Sequence, residues 1–441
     1  MKYWLEGVSQ LFLIAFRNLL THRRRTLLLG GAIAGVTTLL VFLGCLSSGV
    51  KATMLESATT VATGHLNIGG FYKVTAGQSA PLVTDYKKIE DIVTKTLPDL
   101  DYLTARGRGW ARLVSADASA QVGIAGVDIA HEPRLPKVIK MEEGNVEDLA
   151  KPGNLLLFES LAKKLKVKTG DSLVFSVLTD RGVNNTVDVR VCGVAKDMGL
   201  MTAWNVFVPE QTLNQLYQIN DSATGAILIY LKNMNNIPRD MDLLRKALSA
   251  AGYTLMDREA NKVFWQKFDE VNREEWTGQK LDITTWEDEI SFVIWALAAI
   301  DGLSFLLTSI LLVIIAVGIM NTLWIAIRER TREIGTLRAI GMRRRAVLAM
   351  FVMEAFGLGL IGTAAGALLG SLLALFLDSL HLPVPPGAEF FIMSSTFHFA
   401  LNGARILGGA AVITLCCTLI SLIPSYRAAK MKPITAMSHV G

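Results

Sequence analysis

Charged residues are scarce in this sequence. Asp, Glu, Lys and Arg make up only 19% of the 441 residues, while 51% are hydrophobic and the mean hydropathy is +0.38. Soluble globular proteins typically carry charge on about a quarter of their residues. The composition therefore argues against an ordinary soluble enzyme and predicts a membrane protein.

Four segments lack charge altogether over about twenty residues or more, the length that a helix needs to cross roughly 30 Å of hydrocarbon. These segments are residues 26–50, 302–327, 355–377 and 406–426. Buried helices of a soluble protein are the alternative, but four such runs in one chain favour membrane spans. We predict transmembrane helices at 26–50, 291–327, 346–377 and 406–426, the second beginning as a stalk outside the bilayer.

Basic residues flank these runs unevenly. Seven arginines fall within residues 328–345, between the second and third runs, whereas the loop 378–405 has a single basic residue. The positive-inside rule places 328–345 and both termini in the cytoplasm and the large segment 51–290 outside it. Residues 1–25 are predicted to form an amphipathic helix along the membrane, or a cytosolic one, before an uncleaved anchor. Residues 427–441 are predicted as a cytoplasmic tail.

The segment 51–290 is long enough to have its own core, and it differs from the rest in charge, with 28 basic and 32 acidic residues. Apolar residues alternate in NTVDVRVCGV, which indicates a strand, and recur at helical spacing after Asp85 and after Pro238. This irregular order favours α+β, in one or two subdomains, over a doubly wound sheet. The predicted fold is a membrane all-α bundle of four transmembrane helices plus a large α+β extracytoplasmic domain.

Catalytic motifs and paired cysteines are also missing. The sequence has no G-x-x-x-x-G-K-[ST] phosphate loop, no H-E-x-x-H metal pair and no G-x-S-x-G nucleophile. GTAAGALLG in the third run lacks the lysine and is predicted to pack helices closely. Three of the four cysteines lie in predicted spans, which leaves Cys192 without a partner for a disulfide framework. We expect a non-enzymatic chain with no directly bound cofactor or metal.

The basic segment 328–345 is predicted as a short cytoplasmic helix that ends near Gly341, with a loop that only holds topology as the alternative. Because the basic clusters adjoin spans, nucleic-acid binding is not predicted. Asp301 is expected at the outer membrane edge, or in a buried role. Glu354 is expected near the cytoplasmic boundary, either in an ion pair with an arginine or in a specific coupling role.

The stretch REIGTLRAIGMRRRAVLAMFVMEAFG resembles the signature of the FtsX-like permease domain, which connects the second and third of four spans. AFRNLLTHRRRT and PSYRAAKMKPITAM also resemble that family. In the segment 51–290, GHLNI and ESLAKKLKVKTGDSLVF resemble the extracytoplasmic domain of MacB-type permeases and of the lipoprotein-releasing permeases LolC and LolE. The resemblance covers nearly the whole chain.

The resemblance implies a subunit of a mechanotransmission-type ABC transporter, whose spans form no substrate channel. In that family, two permease chains pair in the lipid membrane, and here the two chains would be identical or different. A cytoplasmic ABC ATPase dimer, which binds ATP and Mg²⁺, docks in that family on the helix between the second and third spans. The residues that the resemblance assigns to ATPase coupling are Arg332, Glu333, Ile334, Gly335, Leu337, Arg338, Ala339, Gly341 and Glu354.

The MacB-type permeases that the chain resembles carry a fused ATPase, whereas this sequence has no phosphate loop. The resemblance therefore favours the lipoprotein-releasing type, in which lipoproteins leave the inner membrane for a periplasmic carrier. MacB-like efflux of a drug, peptide or toxin through a periplasmic adaptor is the alternative within this class. FtsX-like regulation of cell-wall hydrolases and a membrane-bound sensor remain alternatives from other classes. An enzyme is disfavoured because no catalytic constellation is present.

Overall fold

The computed structural model describes residues 17, 21, 23–75, 78–179, 182–260 and 262–431. Most of the predicted amphipathic helix 1–25 and most of the tail 427–441 lie outside the described residues. The chain divides into two compact units. The helical unit comprises Met1–Ala52, Ala298–Pro383 and Thr396–Gly441, and the sheet unit comprises Thr53–Leu297 and Val384–Ser395.

The α-helices of the described residues follow in chain order. They are α1 Arg23–Ala62, α2 Tyr86–Thr96, α3 Leu135–Val138, α4 Glu159–Leu165, α5 Gly199–Thr202, α6 Glu210–Tyr217, α7 Ile237–Ala250, α8 Phe268–Arg273, α9 Trp286–Glu289, α10 Ser291–Glu329, α11 Thr331–Ala339, α12 Arg344–Ser379, α13 Pro386–Ile392 and α14 Gly403–Lys430. Short 3₁₀ helices cover Ile129–His131, Val146–Ala150, Met234–Asn236 and Phe264–Lys267.

The strands lie in the sheet unit. They are β1 Leu66–Thr75, β2 Gln78–Ala80, β3 Val83–Thr84, β4 Leu100–Val114, β5 Ser119–Val127, β6 Met141–Gly144, β7 Asn154–Phe158, β8 Ser172–Leu178, β9 Asn184–Ala195, β10 Asn205–Pro209, β11 Ala223–Thr224, β12 Ala226–Leu231, β13 Thr254–Leu255 and β14 Gly278–Thr285.

Four helices of the described residues are long and apolar enough to cross a membrane: Thr26–Ala62, Val293–Glu329, Arg344–Ser379 and Gly403–Lys430. The shortest has 28 residues, about 42 Å of helix, which exceeds the hydrocarbon thickness. This confirms the predicted four-helix membrane part.

The helices are longer than the uncharged runs from which they were predicted. Helix α1 continues to Ala62, well into the segment 51–290, and α10 is one helix from Ser291 to Glu329. The loop 378–405 contains α13, which the sequence analysis did not anticipate. The return of charged residues marks where the apolar environment ends, whereas a helix continues until its backbone hydrogen bonds are capped or broken.

A row of glycines packs α12 against α1 inside the helical unit. A Cβ atom added to Gly366 would lie 2.4 Å from the Ala34 carbonyl oxygen, and one added to Gly362 would lie 2.9 Å from the Ile33 side chain. The Thr38 hydroxyl donates a hydrogen bond to the Gly366 carbonyl at 3.2 Å. Only glycine permits this approach, so the predicted packing role of GTAAGALLG is confirmed.

The sheet unit is built on a mixed sheet of twelve described strands in the order β13-β14-β1-β12-β4-β5-β10-β7-β9-β6. Outside this path, β2 pairs with β1, and β8 pairs with β4 and β9. Pairs β10/β5, β7/β9 and β13/β14 are parallel, and the others in the sheet are antiparallel. The predicted α+β class is confirmed. In β9, Val187, Val189 and Val191 are buried while Asp188 and Arg190 are exposed, as their alternation predicts.

The long strand β4 joins two halves of the sheet. Residues from Leu100 to Arg106 pair with β12, and residues from Gly107 to Val114 pair with β5. Each half has its own hydrophobic core: Ile89, Leu244 and Ile229 belong to one, and Leu161, Phe175 and Val189 belong to the other. One continuous sheet whose halves have separate hydrophobic clusters therefore replaces the choice between one and two subdomains.

Candidate functional site

Helix α11 is the short helix between the second and third spans. It has nine residues and is about 13 Å long, bounded by Arg330 before it and by a turn at Gly341 after it. Gly341 has φ of +108°, in the left-handed region. The amides of Gly341 and Met342 donate to the carbonyls of Arg338 and Leu337, which is the hydrogen-bond pattern of a Schellman motif.

The predicted segment 328–345 is therefore only partly helix α11. Arg328 belongs to the end of α10, and Arg344 begins α12. The positions of charged residues alone do not show where the short helix α11 is separated from the ends of helices α10 and α12. The glycine turn and the non-helical backbone at Arg330 provide that separation.

One face of α11 is buried within the helical unit. Ile334 is 1% exposed, and Gly335 beside it is also buried. Ile334 packs into a cluster drawn from α10, α11, α12 and α14. The buried members of this anchor cluster are Ile327, Ile334, Val347, Met350, Phe351, Ala428 and Ala429. The anchor cluster ties α11 to three spanning helices through apolar contact.

A buried ion pair lies beside the anchor cluster. Arg330 and Glu354 are 5% and 4% exposed, and Arg330 Nη1 donates to Glu354 Oε2 at 3.2 Å. Arg330 Nε also lies 3.9 Å from Glu333 Oε2. The ion pair that the sequence analysis left open for Glu354 is thus present, and its partner Arg330 was absent from the predicted site. Because 24 positions separate the two residues, no local pattern could identify the pair.

The opposite face of α11 is exposed. Among the predicted coupling residues, Arg332, Glu333, Ala339 and Gly341 are exposed, whereas Leu337 and Arg338 are half-buried. Ile340, which the prediction omitted, is 80% exposed just before the glycine turn. The predicted set therefore divides into outward residues and inward anchors, the latter being Ile334, Gly335 and Glu354.

This arrangement is suited to binding a protein partner. The outward face combines an exposed apolar side chain, Ile340, with the charged Arg332 and Glu333. Protein interfaces commonly place apolar contact inside a polar rim, with arginine enriched. We call Arg332, Glu333, Thr336, Ala339 and Ile340 the outward face from here on.

The chain matches a known family in this region. Residues 305–433 match the FtsX-like permease C-terminal family, and this range contains α11 and most of the second, third and fourth spans. This match assigns residues 305–433, which contain α11, to an FtsX-like permease C-terminal domain.

The chain is similar over nearly its whole length to macrolide export ATP-binding/permease proteins named MacB. It is 27% identical to the Nitrobacter winogradskyi protein over 454 residues, covering 99% of this chain and 61% of that protein. It is 25% identical to an Escherichia coli MacB over 462 residues, covering 99% of this chain and 62% of that protein. The chain thus spans about three fifths of the length of these relatives.

Two solved structures are similar to part of this chain. The extracellular domain of the noncanonic ABC-type transporter YknZ from Gram-positive bacteria has 14% identity and a TM-score of 0.31, covering 42% of this chain and 95% of that one. The periplasmic region of MacB from Actinobacillus actinomycetemcomitans has 17% identity and a TM-score of 0.31, covering 45% and 89%.

Proposed function

We propose that this chain is the permease subunit of a mechanotransmission-type ABC transporter and that a cytoplasmic ATPase dimer, with its ATP and Mg²⁺, docks on the outward face of α11. The observation that carries this proposal is the two-sided nature of α11. Its outward face is free of the anchor cluster, and its inner face is fastened to three spanning helices. The sequence contains no phosphate loop, so the nucleotide hydrolysis is assigned to an ATPase that this sequence does not contain.

Coupling follows from how α11 is held. A partner that binds one arrangement of the spans more tightly shifts their population toward that arrangement. A displacement of α11 would reach α10 and α12 through Ile334 and the Arg330–Glu354 pair, because both contacts are buried and closely packed. Helices α1 and α10 each include residues of both units, so each is a continuous route along the chain toward the sheet unit.

The orientation in this proposal follows the positive-inside rule, with α11 in the cytoplasm and the sheet unit on the other side of the inner membrane. A second permease chain, identical or different, would complete the membrane part. In this arrangement the chain does mechanical work and holds no cofactor of its own.

For the transported substrate, we favour efflux of an amphipathic drug, peptide or toxin through a periplasmic adaptor. The relatives that cover almost all of this chain are named for macrolide export, and this supports efflux over the lipoprotein release that the sequence analysis favoured. The names of these relatives give no specific support for a lipoprotein substrate or for a relationship to LolC and LolE.

The docking proposal is tested with the full chain reconstituted with its ATPase in nanodiscs. We expect Glu333→Lys and Ile340→Asp each to reduce the permease-dependent stimulation of ATP hydrolysis by about tenfold, the effect of losing roughly 1.4 kcal/mol at an interface. Both side chains are exposed, so each variant should fold. The matched control is Glu287→Lys, which makes the same charge change at an exposed position in the sheet unit.

Stimulation that stays at the wild-type level in both α11 variants would overturn the docking proposal. An equal loss in Glu287→Lys would also count against it, because the effect would then report net charge and not the docking surface.

A further inference from the structure

A cleft in the sheet unit brings two arginines and several aromatic side chains together. The residues Arg-Gly-Arg-Gly-Trp at 106–110 of β4 alternate across the sheet, which places Arg106, Arg108 and Trp110 on one face. The intervening glycines leave the other face open to α6. A Cβ atom added to Gly109 would lie 2.5 Å from the Tyr217 ring. The pattern therefore separates a charged aromatic face from a tightly packed one.

Tryptophans form one wall of the cleft. The Trp110 and Trp204 rings stack with centroids 5.0 Å apart and an angle of 10° between their planes. Gly123 makes room for this stack, since a Cβ atom there would lie 3.0 Å from the Trp204 ring. Phe264 and Trp265 also line the cleft. Trp110 and Trp265 are 43% and 38% exposed, so the aromatic rim is open to solvent.

The two arginines have very different partners. Arg106 is fully engaged: its Nη2 donates to Glu132 Oε2 at 2.7 Å, and its Nη1 donates to the Val61 carbonyl at 2.9 Å. Arg108 has only a distant counterion, with Nη1 4.0 Å from Glu289 Oε2. Within the described part of the chain, its guanidinium makes no hydrogen bond, although its side chain is only 13% exposed.

Burial makes this loose pairing unfavourable. It lowers the pKa of the Arg108 guanidinium and raises the pKa of the Glu289 carboxyl, because both charges have lost hydration. Glu289 Oε1 already accepts a hydrogen bond from the Thr284 hydroxyl at 2.8 Å, so one of the two carboxylate oxygens is engaged. Arg108 also lies over the Phe264 ring, 4.8 Å from its centroid. Its unused N–H donors are therefore available to an anion in the cleft.

We propose that this cleft binds the carboxylate of an aromatic or amphipathic ligand, with Arg108 holding the carboxylate and the tryptophan wall covering the adjacent apolar group. A guanidinium presents a planar fork of donors that matches a carboxylate, and such charge-assisted bonds are stronger than neutral ones. The cleft has a volume of about 80 Å³, well below the roughly 300 Å³ at which sites for whole drug-sized ligands begin. The cleft therefore recognises one end of a molecule.

Calorimetric titration of the full chain in detergent tests this proposal with two matched probes. N-acetyl-phenylalanine carries the carboxylate, and N-acetyl-phenylalaninamide has the same ring without the charge. We expect the acid to bind about tenfold or more tightly than the amide, since a hydrogen bond to a charged group contributes about 1.5–3 kcal/mol. We expect Arg108→Gln to abolish this preference and Arg108→Lys to retain part of it, because lysine keeps the charge but lacks the fork.

Two further variants separate ligand binding from a structural role. Arg112→Gln makes the same change four positions along β4, at an exposed arginine that hydrogen-bonds Ser119, and it should bind the acid like the wild type. Glu289→Gln removes the competing carboxylate and should tighten binding of the acid several-fold. A merely structural contact between Arg108 and Glu289 would not produce that gain.

Equal affinity for the acid and the amide in the wild-type chain would overturn the proposal, as would the absence of saturable binding of the acid up to about tenfold above the millimolar range expected of a single-group ligand. If Arg108→Gln fails to fold by circular dichroism, the acid and amide pair and Glu289→Gln still decide the question. No ATPase is present in this titration, so failure here leaves the docking proposal for α11 untouched.

Discussion

At the scale of residues, the Arg330–Glu354 pair is the most consequential contact near α11. Both side chains are buried, and a charge removed from water is stable only while its partner is present. A membrane setting raises this cost further, because lipid offers no hydrogen bonds to a stranded guanidinium. The pair therefore makes the position of α11 depend on Glu354 of α12.

Substitution of one partner should destabilise the chain more than substitution of both. We expect Glu354→Gln to lower the free energy of unfolding by about 3–5 kcal/mol, because buried Arg330 then keeps only the exposed and more distant Glu333 carboxylate as a counter-charge. The double variant Arg330→Leu with Glu354→Leu should recover most of that loss, since apolar replacements of similar size fit a dry site. Thermal unfolding in detergent, followed by circular dichroism, measures both.

The same variants separate stability from coupling. If the pair transmits movement of α11, the double variant should fold well and yet show reduced stimulation of the ATPase. A double variant as unstable as Glu354→Gln would contradict the ion-pair account. Exposed Glu329→Gln, at the end of α10, is the matched control and should leave Tm unchanged.

The residue scale also shows where sequence reasoning reached its limit. Gly341 was predicted to end the short helix, and it does so through a left-handed turn that glycine adopts without strain. Glu354 was predicted near the cytoplasmic boundary, but its partner had to be left open. A glycine turn depends on neighbouring backbone, whereas the Arg330–Glu354 contact depends on how α10 and α12 meet.

At the scale of elements, the fit of α12 on α1 depends on small residues. Gly362, Gly366 and Gly370 recur every four positions on α12, so they form one ridge along the helix. At Gly366 the nearest atom to an added Cβ would be backbone, the Ala34 carbonyl oxygen, which cannot move aside as a side chain can. The helices must therefore separate if the glycine is enlarged.

We expect Gly366→Leu to lower the free energy of unfolding of the membrane-embedded chain by about 1–3 kcal/mol or more, the usual cost of overpacking. The matched control is Gly31→Leu on the facing helix α1, where no atom lies within 4 Å of an added Cβ. Tm measured in the same detergent compares the two. Equal Tm values for Gly366→Leu and the wild type would show that α1 and α12 do not pack through this ridge.

Element boundaries were harder to predict than element types. The four spans formed where uncharged runs predicted them, and the strand β9 and the helices after Asp85 and Pro238 formed where periodicity predicted them. Helix α1 nevertheless continued beyond its apolar run to Ala62, and α13 formed in a loop without a clear helical pattern. Periodicity shows which face of a helix or strand is buried and which is exposed. It does not show where a helix ends, because the end depends on capping and on tertiary contacts.

At the scale of the whole molecule, efflux and lipoprotein release predict different partner proteins. Purification of the tagged full chain from its native membrane after mild cross-linking should recover an ABC ATPase and a periplasmic adaptor.

In cells, loss of the chain should lower the minimum inhibitory concentration of a macrolide several-fold. The variant Glu333→Lys, on the outward face of α11, should fail to restore that concentration. Glu287→Lys should restore it fully, since its charge change lies away from α11.

Recovery of other partner proteins would change the proposed function. Recovery of a lipoprotein carrier, together with lipoproteins that accumulate in the inner membrane of cells lacking the chain, would replace efflux with lipoprotein release. Recovery of a cell-wall hydrolase would favour the regulatory alternative. If loss of the chain leaves the inhibitory concentration of the macrolide unchanged, and if neither an ABC ATPase nor a periplasmic adaptor is recovered, efflux of such compounds is contradicted.

The sequence by itself determined the features that depend on neighbouring residues. Apolar run length set the four spans because a bilayer of roughly 30 Å demands about twenty uncharged residues from any single helix. Local alternation set the strand β9, and one glycine set the end of α11. The resemblance to FtsX-like permeases also depended on one contiguous stretch, and residues 305–433 confirmed it.

Only the tertiary structure decided which distant residues meet. Arg330 pairs with Glu354, Gly366 packs on Ala34, and Arg108 lines the same cleft as the Trp110–Trp204 stack. Each depends on the register and packing of whole helices or strands, and many pairings of charged or aromatic residues are compatible with the same local pattern. Their free energy is gained only when the elements pack, so no single stretch of sequence contains it.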